Sequence, residues 1–230
     1  MAHSTLGHRC SIVGVVASPD DLSSEDVELA DILEIRLDLL SMPLKEVFDA
    51  VSTFQKPLIA TCRASMEGGG FSGTERERER LLCEAMEHVD MVDVELAAHE
   101  IREGVVRCAR ELGLKVILSH HDFLGTPSLS RMLEVFTSEL ESGADIAKVA
   151  VMPNDMGDTL VLLEAVYAMR GASGDVCGIS MGELGKPTRL LAPLYGSALT
   201  YGSLNSTVAP GQLSVGTLRR GMDMLGALRG

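Results

Sequence analysis

The chain has 230 residues, 46% of them hydrophobic and 23% charged, a balance that supports a packed core and excludes a disordered chain. Its 33 acidic residues against 20 basic ones give a formal charge of −13, which disfavours nucleic acid and anionic membrane surfaces as partners. No apolar run reaches transmembrane length, the N-terminal MAHSTLGHRC has no signal-type apolar core, and the five cysteines lack CxxC spacing. A cytoplasmic protein with reduced thiols and no bound metal is therefore the expectation.

The predicted elements alternate. The first strand is SIVGVVAS (11–18), followed by SPDDLSSED, which has none of the glycines of a nucleotide-binding turn. The second strand is ILEIRLDLL (32–40), the third PLIATCR (57–63). A helix is predicted from Thr74 to His88, with Thr74 and Glu77 at capping-box spacing. MVDVEL (91–96) is the fourth strand, and a helix over His99–Leu112 closes at Gly113. KVILSHHDF (115–123) is the fifth strand, with a helix over Ser128–Ser142 whose apolar residues recur at helical spacing. IAKVAVMP (146–153) precedes a helix over Asp158–Met169, and VCGISMG (176–182) precedes a weak, proline-interrupted helix over Glu183–Leu194. ALTYGSLN (198–205) is the eighth strand, and Leu213–Leu228 the last helix. Eight such units with no linker predict a single (β/α)8 TIM barrel over residues 1–230, with an open doubly wound sheet as the alternative.

The second strand carries the chemistry. In EIRLD a period of two places Glu34, Arg36 and Asp38 on one face and Ile35, Leu37 and Leu39 on the other. With the aliphatic face packed on helices, the charges point into the barrel, where burial is costly unless they are paired. The same parity groups Thr61 with Arg63, Asp93 with Glu95, and Ser119 with His121. Each strand thus delivers polar groups towards its C-terminal end, where barrel active sites lie.

Lys148 interrupts an apolar strand and faces inward with Ile146 and Ala150. Two readings stay open: an amine activated by burial and poised to form a Schiff base, or a lysine paired with an interior carboxylate. His121 can move protons near it, while His120 faces the helix layer, so the two do not share a metal ion. The glycine-rich loop after the third strand reads as a mobile segment that carries Glu67 to the site, or as a plain solvent loop. Arg189 and Gln212 follow the seventh and eighth strands, where they could clamp a carboxylate.

These segments resemble the type I 3-dehydroquinate dehydratases of the shikimate pathway. The likeness spans EIRLD (34–38), TCR with Glu67 four residues past Arg63, DVEL (93–96), SHHDF (119–123), KVAVMP (148–153), ISM with Arg189 eight residues past Met181, and APGQ (209–212). It implies a hydro-lyase that forms an imine between Lys148 and the ring ketone of 3-dehydroquinate and needs no cofactor. His121 would be the acid–base, and Glu67 would orient it. Glu34, Arg36 and Arg63 would hold ring hydroxyls and neighbouring charges, and Arg189 and Gln212 the carboxylate. The resemblance also implies a homodimer. One departure stands out: where the family often has a serine, four residues before the glutamine of APGQ, this chain has Val208.

Without the resemblance, a Schiff-base aldolase acting on a sugar phosphate shares the barrel and the lysine. The hydroxyl- and carboxylate-matching charges of the second strand and of Arg189 and Gln212 suit a hydroxylated carboxylic acid better.

Overall fold

A computed structural model describes residues 10–226. The strands are β1 (Ser11–Val16), β2 (Ile32–Arg36), β3 (Leu58–Thr61), β4 (Met91–Glu95), β5 (Lys115–Asp122), β6 (Ile146–Val151), β7 (Asp175–Ser180), β8 (Leu199–Ser203) and a two-residue β9 (Leu213–Ser214). The helices are α1 (Leu44–Ser52), α2 (Glu75–Ala85), α3 (Arg102–Glu111), α4 (Leu129–Glu141), α5 (Met156–Ala168), α6 (Gly182–Gly185), α7 (Thr188–Tyr195) and α8 (Val215–Leu225). Neighbouring strands from β1 to β7 pair in parallel and in chain order, and β8 pairs with β1. The chain thus adopts the expected (β/α)8 barrel, and all eight predicted strands are present.

The ladder closes unevenly. Between β7 and β8 the pairing shrinks to one bridge, Val176 with Ser197. The Ala198 N–H donates to the Val176 carbonyl at 2.8 Å, and the Gly178 N–H donates to the Ser197 hydroxyl at 3.2 Å. A side chain thus satisfies a strand amide where the neighbouring backbone does not.

Most predicted strands overrun their C-terminal ends, because those residues leave the ladder to build the barrel mouth. Leu37–Leu40 turns instead of continuing β2, and the Asp38 carboxylate accepts from the backbone N–H groups of Arg63 and Gly70. Between β1 and β2 two short 3-10 turns, Pro19–Ser23 and Glu25–Leu29, replace a full helix. Buried Asp21 anchors them by accepting from the backbone N–H groups of Ala17, Ser18, Asn205 and Ser206, which ties the exit of β1 to the exit of β8. The interrupted segment after β7 becomes two helices, with Pro187 at the start of α7, where a missing N–H costs little.

Side-chain parity separates two cores. Leu33, Ile35, Val92, Val94, Val116 and Leu118 face the helix layer. Ile32, Ile59, Met91, Ile117, Ile146 and Leu199 face inward and form an apolar floor. Two residues further along each strand come Glu34, Thr61, Asp93, Ser119, Lys148 and Tyr201, all buried. The barrel interior therefore changes from apolar to polar within one strand repeat, towards the C-terminal face.

One buried acid lies outside this interior. Glu139 of α4 has no solvent exposure, and neither carboxyl oxygen has a hydrogen-bond partner. Burial first, then the negative charges of Asp93 and Glu67, push its pKa well above the carboxylate range; the Lys148 backbone N–H opposes this without reaching hydrogen-bonding geometry. A carboxyl whose folded pKa is raised contributes its full stability below the ordinary value and loses it as pH rises towards the folded value. Replacing Glu139 with Met should raise stability at pH 7 by about 1–3 kcal/mol. Urea unfolding at pH 5 and pH 8 should show the gain growing with pH; an equal or smaller gain at the higher pH would contradict the assignment.

Candidate active site

The strand ends and their loops line an open-mouthed chamber at the C-terminal face of the barrel. All eight residues singled out from the sequence, Glu34, Arg36, Arg63, Glu67, His121, Lys148, Arg189 and Gln212, line it. Strand parity turns Glu34, Arg36, Arg63, His121 and Lys148 inward, while Glu67, Arg189 and Gln212 arrive from the segments after β3, β7 and β8.

Asp93 of β4 organises the interior. Its Oδ1 accepts from Arg63 Nη2 and from the Ser119 hydroxyl, both at 2.7 Å, and its Oδ2 accepts from Lys148 Nζ at 2.9 Å. Burial opposes the charge, but Arg63 and Lys148 outweigh it and hold Asp93 well below the usual carboxylate range. The Lys148 amine is bound to Asp93 and stands 3.8 Å from Glu34 Oε1, so the pairing with interior carboxylates is present. The Tyr201 ring lies against the same amine, with its centroid 4.2 Å from Nζ.

Arg63 is used within the wall. Besides Asp93 it pairs with Glu95 at 3.1 Å and donates to the Ser119 hydroxyl at 2.7 Å. Burial alone would depress its pKa, but Asp93, Glu95 and Glu34 overcome this and keep the guanidinium charged. Glu95 in turn pairs with Arg78, which enters from α2 and also holds Glu75 at 2.6 Å. Arg36 makes a two-pronged pair with Asp38 at 2.9 and 2.6 Å. Glu34 accepts from the Thr61 hydroxyl at 2.9 Å.

His121 and Glu67 form the second unit. Glu67 Oε2 lies 2.9 Å from His121 Nδ1 and accepts from the His121 backbone N–H at 3.0 Å. Burial, then the Arg63 and Lys148 cations, drive the imidazole pKa well below 6.5. When Glu67 is ionised it can only accept, so a neutral His121 then carries its proton on Nδ1 and leaves Nε2 as an unprotonated base. Burial pushes Glu67 up to about 7, against the pull of Arg63.

The loop bearing Glu67 is largely at the surface but is tied down by backbone contacts. The Gly69 N–H donates to the Ala64 carbonyl at 3.0 Å, and Ala64 and Phe71 form a bridge. A Cβ on Gly69 would sit 2.0 Å from the Arg63 carbonyl oxygen. Here glycine permits close approach of the backbone.

Arg189, in the first turn of α7, is buried without a carboxylate. Its Nη atoms donate to the Tyr201 and Pro210 carbonyls, each at 3.2 Å, and its Nε has no partner. Burial lowers its pKa to about 10. A buried guanidinium facing a chamber without its own counter-ion is suited to an anionic ligand. Gln212 Oε1 accepts from the Val208 N–H at 3.0 Å, which shapes the loop after β8 and turns Val208 into an apolar part of the lining.

Tyr201 and Arg78 were not singled out from the sequence. Tyr201 follows the period-two rule between Leu199 and Ser203, and Arg78 lies on the helical stripe of Leu82 and Ala85. His120, as expected, faces the helix layer, near Asp122 and Arg131.

A family model described as Type I 3-dehydroquinase matches residues 12–229. A 3-dehydroquinate dehydratase of Methanococcoides burtonii is 46% identical over 202 residues, covering 85% of each chain. The crystal structure of 3-dehydroquinate dehydratase from Geobacillus kaustophilus is 33% identical, with a TM-score of 0.86 over 97% of this chain and 93% of that one. A type I 3-dehydroquinate dehydratase of Clostridium difficile, solved with covalently modified comenic acid, is 32% identical, with a TM-score of 0.84 over 95% and 93% of the two chains.

The two pKa shifts oppose each other in their effect on stability. Glu67, raised, loses its contribution as pH rises from the ordinary carboxyl range through about 7. His121, lowered, loses its contribution as pH falls below 6.5. Glu67→Gln should therefore gain stability relative to the parent between pH 5 and pH 8, measured by urea unfolding. Nitrogen NMR should find neutral His121 protonated on Nδ1 at pH 8, where Glu67 is ionised; the Nε2-protonated form or an imidazolium there would refute the assignment.

Proposed function

The chain belongs to the type I 3-dehydroquinase family, and from that premise we propose that it is a hydro-lyase converting 3-dehydroquinate to 3-dehydroshikimate and water through an imine on Lys148. The observation that carries this reading is the convergence of Lys148, neutral His121 and the unpaired Nε of Arg189 on one chamber.

Lys148 Nζ attacks the ring ketone, and loss of water gives a cationic imine. The imine draws electrons from the neighbouring carbon and makes its proton acidic. His121 Nε2 removes that proton to give an enamine. The protonated imidazole then returns it to the departing ring hydroxyl, so the same nitrogen serves as base and acid. Hydrolysis of the conjugated imine releases product and restores Lys148.

Each remaining residue has a part in this scheme. Glu67 fixes the His121 ring and tautomer through Nδ1. Asp93 positions the amine. Glu34 and Arg36 reach ring hydroxyls. Arg63 acts mainly by holding Asp93 and Glu95. Arg189 takes the substrate carboxylate, with the Gln212 amide beside it. The covalently modified ligand reported with the Clostridium difficile relative supports covalent chemistry in the family.

A place in aromatic biosynthesis through the shikimate pathway follows from this substrate. A cytoplasmic location is part of the same proposal and accords with five free thiols among the described residues; no helix among those residues is long and apolar enough to cross a membrane. The proposed homodimer has a face available. Met156, Leu160 and Tyr167 of α5 and Leu194 and Tyr195 of α7 expose apolar surface on adjoining helices. Light scattering should give twice the chain mass, and Leu160→Asp should yield monomer; a monomeric parent protein would refute the dimer.

The decisive assay mixes the protein with 3-dehydroquinate and follows the ultraviolet absorbance of the conjugated product. Activity is expected, and Lys148→Ala should lose at least about 10³-fold in kcat. Borohydride added with substrate should fix a single adduct on Lys148 by mass spectrometry. Dehydration at the parent rate by Lys148→Ala would overturn the mechanism.

A further inference from the structure

Tyr201 occupies the polar level of the chamber, yet its hydroxyl is enclosed and has no hydrogen-bond partner. A buried tyrosine usually satisfies its hydroxyl, because leaving it unpaired wastes the interaction it gave up with water. Phenylalanine would fill the same space without that cost. Its surroundings keep the phenol protonated: burial first, then Glu34, Cys177 and Asp93, push its pKa well above 10. The group is therefore a donor without an acceptor among the described residues, carried by a side chain that lines the chamber. The same side chain presents its ring to the Lys148 amine.

Resting on the imine reading above, we propose that Tyr201 is a further active-site residue acting twice on one reaction centre: its hydroxyl donates a hydrogen bond to the oxygen on the carbon that Lys148 attacks, and its ring face stabilises positive charge on Nζ. The steps balance as follows. The Lys148 ammonium passes one proton to His121 and its lone pair forms the C–N bond, while the C=O π pair moves onto oxygen. That oxygen takes a second proton from nitrogen. The proton held on His121 then returns to the oxygen, the C–O bond breaks, water leaves, and the nitrogen lone pair forms the C=N bond of the cationic imine. Negative charge builds on oxygen first, beside the hydroxyl, and positive charge resides on nitrogen afterwards, over the ring. Preorganised donors and aromatic faces are effective in such an enclosed site.

Two variants separate the roles. Tyr201→Phe keeps the ring and removes the hydroxyl, whereas Tyr201→Leu removes both. With 3-dehydroquinate and borohydride, the Phe variant should form the Lys148 adduct about tenfold more slowly than the parent, with kcat reduced in step and KM within about twofold. The Leu variant should lose about a further tenfold. The free Phe protein should melt no lower than the parent, and about 2–4 °C higher, so the catalytic loss is not a folding defect. A parent protein that traps no adduct overturns the imine reading. A parent that does trap one, with a Phe variant that matches its rate or is altered only in KM, overturns the role of Tyr201 alone.

Discussion

A carboxylate sealed inside a barrel is stable only if the cations around it are also fixed, and Asp93 imposes that condition on the site. Arg63 from the end of β3, Ser119 from β5 and Lys148 from β6 all converge on its two oxygens. Removing Arg63 or Lys148 by mutation would leave a buried charge with part of its pairing missing, a penalty of several kcal/mol. The pairing extends outward through Glu95 and Arg78 to Glu75 on the flank of α2. The Lys148 amine is thus anchored to the helix layer through a chain of alternating charge. The apolar floor beneath it keeps water out on one side.

The chamber divides its carboxylates by environment. Asp93, ringed by cations, stays ionised, whereas Glu67, with fewer compensating charges, is pushed up to about 7. The same cations that hold Asp93 ionised suppress protonation of His121. Fixed pairing and a poised base are therefore two effects of one charge arrangement, and moving Arg63 or Lys148 would alter both.

The barrel and most of its interior were legible because a parallel strand obeys a period of two. Glu34, Arg36, Arg63, His121 and Lys148 could be assigned inward from their aliphatic neighbours alone. Tyr201 obeyed the same rule but was hidden by its aromatic character, which reads as ordinary core. Contacts that join distant segments were not legible. Asp21 lies in a run of acids and serines that looks like surface, yet its carboxylate ties the first strand's exit to residues 205 and 206. The glycines after β3 mark a loop in the sequence, but the close backbone approach that Gly69 makes to the Arg63 carbonyl was not legible there. The choice between a free and a paired Lys148 depended on Asp93, a residue 55 positions away.

The single bridge between β7 and β8 makes the pairing around the barrel uneven. From β1 through β7 the wall is a continuous hydrogen-bonded arc, and it carries Asp93, His121 and Lys148. Arg189 lies on α7, which links β7 to β8, and Gln212 lies beyond β8. The buried ion pairs thus stand on continuously paired strands, whereas the two residues suited to a ligand's anionic group stand on the connections around the strand with the thinnest seam.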